Sequence, residues 1–216
     1  MNKALQTFES IFARADDMLF GSQVILELFR KQKGNNPDLD HTVLNPSGDM
    51  VRAAIVLAVA AMDDYFTRKY AEVFVRSIKR RGITTALCGI LANSGLDTKA
   101  SLELLTMPRP YGRIKALATK QFSTYSAQNT KQIDYLFSTL GLMDLSKHAE
   151  RMAHRRSLLT SVTSLVKRRH VIAHCGDLNR RGKTLPINYK GTVRHFKDLA
   201  VFVKNCDTII SNHIKG

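Results

Sequence analysis

Residues 158–174 read LLTSVTSLVKRRHVIAH, and the fold follows from how their apolar positions recur. Leu158, Val162, Leu165 and Ile172 step by four, three and seven, the spacing of a helical face turned toward a core. Arg169 lies four after Leu165 and three before Ile172, so it falls inside that stripe, whereas Lys167 and Arg168 project away from it. A guanidinium directed at a protein interface is costly unless a carboxylate, a phosphate or retained water compensates it. Two readings stay open. In one, Arg169 pairs with an acid or snorkels to the surface; in the other, its planar fork makes an anion site.

Working outward, the same helix is expected from Leu145 to Ala173, stopped near Gly176. Beyond it come a basic loop, Asn179 to Lys183, the segment Leu185-Pro186-Ile187 and a last amphipathic helix. Val193, Phe196, Ala200, Val203, Ile210 and Ile214 mark the apolar side of that helix. Toward the N-terminus, residues 3–32 read as a first helix, with room for a bend at Gly21-Ser22, ended by the polar run Lys33 to Pro37. The cluster Asn45-Pro46-Ser47-Gly48-Asp49 starts a long second helix, in which Ile55, Val59, Met62, Phe66, Tyr70 and Val73 keep the helical period. Lys79, Arg80 and Arg81 suit its C-terminal dipole, and Gly82 suits its cap. Residues 83–143 read as several short helices broken at Gly95, Pro108-Arg109-Pro110 and Gly141. With no repeat, low-complexity tract or linker, residues 1–216 are expected to form one all-α domain, a helical bundle with long antiparallel core helices.

Composition narrows the class of protein. Of 216 residues, 44% are hydrophobic and 24% charged, which excludes a disordered chain, a collagen and a coiled-coil rod. Thirty-three Lys and Arg against eighteen Asp and Glu give a net charge of +15, so polyanions are the expected partners. The longest apolar run, Ala53 to Met62, has ten residues, against the roughly 20 needed to span a bilayer, so no membrane insertion is expected. Glu9 interrupts the place where an export signal would need an apolar stretch. Cys88, Cys175 and Cys206 are odd in number and widely spaced, and read as reduced thiols of a cytoplasmic protein.

The basic charge is concentrated. Residues 151–183 carry Arg151, Arg155, Arg156, Lys167, Arg168, Arg169, Arg180, Arg181 and Lys183 against Asp177 alone. These side chains form either a solvated face or a phosphate-binding surface. Within the run, His170 and His174 bring proton transfer near neutrality. Arg169 and His174 are five apart, about 140° around a helix, and share a face only if the helix ends between them. A histidine in a last helical turn can also be no more than a cap. Zinc is a weak competitor: His170 and His174 are i,i+4 and Cys175 follows, but there is no glutamate of the metalloprotease helix and no second ligand cluster. No glycine-rich phosphate loop is present, so ATP-driven chemistry has no support; no metal or other cofactor is expected.

Residues Arg169 to His174 resemble the signature of the HEPN family, Arg, four to six residues, then His, with a polar residue after the arginine; His170 fills that place. Leu165 to His174 resembles the family's motif helix throughout. Gly176-Asp177, the Pro186 segment and the final amphipathic helix fit the same pattern, as does Ala61-Met62-Asp63-Asp64-Tyr65-Phe66 upstream. The chain is most similar to the RiboL-PSP type, over residues 48–81 and 145–214, and the middle is left unexplained. The resemblance implies an all-α homodimer whose two motif helices meet around a composite cleft, acting as a metal-independent endoribonuclease. By that analogy Arg169 holds the scissile phosphate, His174 is the acid or base, His170 positions one of them and Asp63 orients the arginine. Asp64 could take the role of Asp63 with a small shift of helix phase. Lys167, Arg168, Arg180, Arg181, Lys183, Arg155 and Arg156 would bind the RNA backbone. The reaction would be attack of a ribose 2′-hydroxyl on the adjacent phosphorus, leaving a 2′,3′-cyclic phosphate; DNA would not be cut. The implied biology is a toxin or phage-defence effector, silenced by an antitoxin-like partner protein or by low expression. The alternative is a non-catalytic RNA-binding or scaffold domain. Some relatives carry a modifiable tyrosine two residues after the histidine; Gly176 stands there, so that mode of control is not expected.

Overall fold

Helices account for nearly all of the regular structure. The computed structural model describes residues 2–35, 46–93, 96, 98–123 and 127–215. Among the described residues nine helices follow one another: α1 (Lys3–Asn35), α2 (Pro46–Arg81), α3 (Thr85–Asn93), α4 (Thr98–Leu105), α5 (Pro110–Ser123), α6 (Thr130–Ser138), α7 (Leu145–Ala153), α8 (Leu158–Cys175) and α9 (Tyr189–Lys215). No strand forms among them; Leu178 and Thr184 make an isolated antiparallel bridge. The expected break at Gly95 lies outside the described residues.

α2 is the central element. Its periodic residues Ile55, Val59, Met62, Phe66, Tyr70 and Val73 are all buried, and so are Ala54, Ala58, Ala61, Tyr65 and Phe74 on its other sides. A helix that is apolar on more than one side must be surrounded. It packs against α1, α8 and α9. α1 runs antiparallel to it: the Ala4 N–H donates to Glu72 Oε1 at 2.8 Å, while Gly21 lies against Met50. α9 runs in the same direction as α2, since Tyr65 meets Asp207 and Arg80 meets Ile214. The bundle is therefore not antiparallel throughout.

Polar pins fix the register of this core. Asp207, on α9, accepts from Asn2 Nδ2 and Lys69 Nζ at 2.7 Å and from the Tyr65 hydroxyl at 2.9 Å. Burial, and next the Asp207 carboxylate, push the Tyr65 phenol well above its ordinary value, which keeps it a donor. Arg80 and Arg81 complement more than the dipole of their own helix. Arg80 Nη1 donates to the Ile214 carbonyl at 2.9 Å and Arg81 to that of His213 at 2.8 Å, so both satisfy the last turn of α9.

One expected element is corrected. The helix read as continuous from Leu145 to Ala173 is two helices, separated at residues 154–157. α7 buries Leu145 and Ala149. Continuing its phase by seven residues would bring Arg156 onto that core face. The chain breaks instead: His154 adopts a left-handed conformation (φ 51°), and α8 restarts with Leu158 on the core. Glu150 Oε1 accepts the Leu159 N–H at 3.1 Å, satisfying a first-turn donor of α8 from the end of α7.

Candidate functional site

The site is built on the second half of α8. Val162 and Leu165 are buried, Ile172 packs against the core, and Arg169 between them is half-buried. That helix ends at Gly176, whose φ of 59° suits a glycine cap, with its N–H donated to the Val171 carbonyl. Asp177 follows, also left-handed (φ 59°) and fully buried. It accepts from Arg52 Nε of α2 and Arg168 Nη2 of α8, both at 2.6 Å, and Arg168 also reaches the Leu185 and Pro186 carbonyls. Arg168, expected off the stripe, is thus bonded within the fold. Its side chain is committed to locking the loop that follows α8, because a buried carboxylate demands cations.

Arg169 has a different environment. Its Nη1 donates to Gln128 Oε1 at 3.1 Å, and its buried Nε has no hydrogen-bond partner among the described residues. Among the described residues no carboxylate pairs with it. Gln128 in turn donates to Asp63 Oδ2 at 3.1 Å, and Asp63 Oδ1 accepts the Ala127 N–H at 2.6 Å. Asp63 therefore reaches Arg169 through an intermediary. Asp64 faces elsewhere and pairs with Arg68 at 2.6 Å along the exposed side of α2.

The histidines lie toward solvent. His170 and His174 are both exposed, with ring centroids 4.4 Å apart. Because α8 stays helical through Cys175, Arg169 and His174 remain about 140° apart within one chain. The helix ends too late to bring them onto one face. His170 instead borders a groove of about 640 Å³ walled by Val162, Val166 and Val171, with Gln128 and Lys167 at its edge.

The remaining basic residues divide into two groups. Arg155 pairs with the buried Asp198 at 3.0 Å, which also accepts from Ser161 Oγ at 2.6 Å. Arg156, Lys167, Arg180, Arg181 and Lys183 are exposed. The last three ride on a loop shaped by Asn179, whose side chain accepts the Arg181 and Lys183 N–H groups at 2.8 and 3.0 Å. Gln128 escaped the sequence reading. It sits in the segment that no motif covers, two residues before α6, and no local pattern distinguishes it from any surface glutamine.

Among the described residues no three His, Cys, Asp or Glu side chains cluster as metal ligands, and no helix is long and apolar enough to cross a membrane. The three cysteines are unpaired. Comparison of the chain with family models, with curated proteins and with solved structures gives no match.

Proposed function

We propose that this chain is a HEPN-like, metal-independent endoribonuclease acting as a homodimer in the cytoplasm, in the setting of a toxin or phage-defence effector held in check by a neutralising partner. The observation that carries the reading is Arg169: a half-buried guanidinium, oriented by a neutral amide and, among the described residues, left without a carboxylate. Three other arginines, Arg52, Arg168 and Arg155, are all paired with acids. An uncompensated cation on the inner stripe of a helix has little structural use, and a phosphodiester supplies the missing charge.

In the proposed reaction, Arg169 holds the scissile phosphate and His174 or His170 removes the proton of the 2′-hydroxyl. The 2′-oxygen bonds to phosphorus, the bond to the 5′-oxygen breaks, and an imidazolium gives that oxygen its proton. One chain does not put Arg169 and His174 on the same side of α8. A cleft between two copies of α8 supplies the pairing, the guanidinium of one chain serving with an imidazole of the other. The basic loop at Arg180, Arg181 and Lys183 would carry the flanking backbone.

The test is cleavage of labelled RNA by the purified protein in EDTA. Cutting is expected to persist there and to fall at least about a hundredfold in both His174→Ala and Arg169→Ala with folding intact, the scale of losing an acid–base group. Unchanged cutting by His174→Ala would move the chemistry elsewhere. The separation of Arg169 from His174 within one chain favours a second reading, a non-catalytic RNA-binding domain; retained RNA affinity without any cutting would select it.

A further inference from the structure

Gln128 stands between two groups of fixed hydrogen-bonding character. The Asp63 carboxylate only accepts, and the Arg169 guanidinium only donates. An amide does both, and here Nε2 donates to Asp63 Oδ2 while Oε1 accepts from Arg169 Nη1, each at 3.1 Å. The other Asp63 oxygen accepts the Ala127 N–H at 2.6 Å. Asp63 thereby settles which way round the amide sits, and the amide settles where the guanidinium points.

The choice of a neutral acceptor is the informative part. Arg52 and Arg168 share Asp177, and Arg155 has Asp198; in each case orientation and neutralisation come together. A carboxylate at position 128 would aim Arg169 equally well, but an incoming phosphate would then have to displace an ion pair. The amide aims the guanidinium and leaves its charge unspent. Among the described residues Nε has no partner, which leaves the resting side chain one hydrogen bond short. We infer that Gln128 is a positioning residue: held by Asp63, it orients Arg169 through an uncharged oxygen, so that the full cation is kept for a phosphate group of the ligand. This rests on the phosphate-holding role proposed for Arg169, but it is testable without any cleavage.

The test exchanges charge between two contacting side chains, in the double variant Asp63→Asn with Gln128→Glu. The net charge of the chain is unchanged, so long-range attraction for anions stays the same. The amide introduced at position 63 can still accept from the Ala127 N–H and donate to the carboxylate introduced at position 128, which can still accept from Arg169. What changes is that Arg169 now faces a negative charge. The readout is the ¹⁵N-labelled arginine side-chain spectrum of the full chain, with the Arg169 Nε–H assigned by its loss in Arg169→Lys, during titration with inorganic phosphate at constant ionic strength.

In the wild type that resonance is expected to shift with phosphate. In the exchanged pair at least about tenfold more phosphate is expected to be needed, the size of one charge-assisted contact, with the unfolding midpoint retained. An equal response in the two proteins, or no response of Arg169 in the wild type, overturns the inference. Should the exchanged pair not fold, Gln128→Leu carries the same test: without the acceptor the response weakens, and an unweakened response overturns the inference. Wild-type protein that leaves RNA uncut, yet shows a phosphate response sensitive to the exchange, refutes the ribonuclease reading and supports the role of Gln128.

Discussion

Two arginines on the inner side of the fold are held in opposite ways, one by a buried acid and one by a neutral amide, and their removal should show it. Arg52 is about nine-tenths buried and bonded to Asp177, which is fully buried. Taking away one cation leaves that carboxylate dependent on Arg168 alone. Arg52→Met is expected to cost about 2–3 kcal/mol in denaturant unfolding, below the usual cost of breaking a buried pair because Arg168 remains. Arg169→Met should behave differently. It removes a half-buried cation with an unmet donor and lengthens an apolar stripe, so the unfolding midpoint is expected to stay level or rise. A midpoint falling as far as that of Arg52→Met would mean that Arg169 is structural and that its charge is compensated in the fold.

At the level of elements, the joint between α7 and α8 carries a local cost. His154 is held left-handed at φ 51°, a conformation that strains a side chain with a β-carbon. His154→Gly is expected to stabilise the protein by about 0.5–1 kcal/mol in thermal unfolding, since glycine adopts that region freely. A loss of stability would show that the imidazole contributes more than the backbone costs. The joint also illustrates how far the sequence can be read. Apolar spacing locates both helices, but the break escapes it, because the helical period runs on across Arg155 and Arg156 unless one asks which face each would occupy. The start of α2 at Pro46, its end before Gly82, the start of α5 at Pro110 and the end of α8 at Gly176 are legible, because proline and glycine act through the backbone of their own residue.

Across the whole molecule, histidines couple the fold to pH. Desolvation, and next the neighbouring Arg194, lower the His195 pKa against an opposing pull from Asp198; desolvation likewise lowers that of His213, with Arg81 adding to it and its bond to the Leu140 carbonyl opposing. A histidine whose pKa is lower in the folded state binds its proton more readily when unfolded. Its contribution to stability is therefore complete above the unfolded value of about 6.5 and is lost as pH falls through and below that value. The melting temperature is expected to drop between about pH 7.5 and pH 5.5, on either side of that value, and His213→Gln should flatten the slope. A melting temperature that rises on acidification would reverse the sign of the argument.

The amino-acid order alone determined that this chain is helical, where α2 begins and ends, where α1 and α7 begin and α8 ends, which faces are apolar and that one arginine lies on an inner stripe. Each of those follows from local spacing and backbone preference. Only the tertiary structure decided which acid answers which arginine. Asp177 takes Arg52, 125 residues away, together with Arg168, while Gln128 brings Asp63 to Arg169. Pairing across such distances depends on how helices pack, and a carboxylate or an amide carries no mark in the sequence of the partner that packing will bring to it.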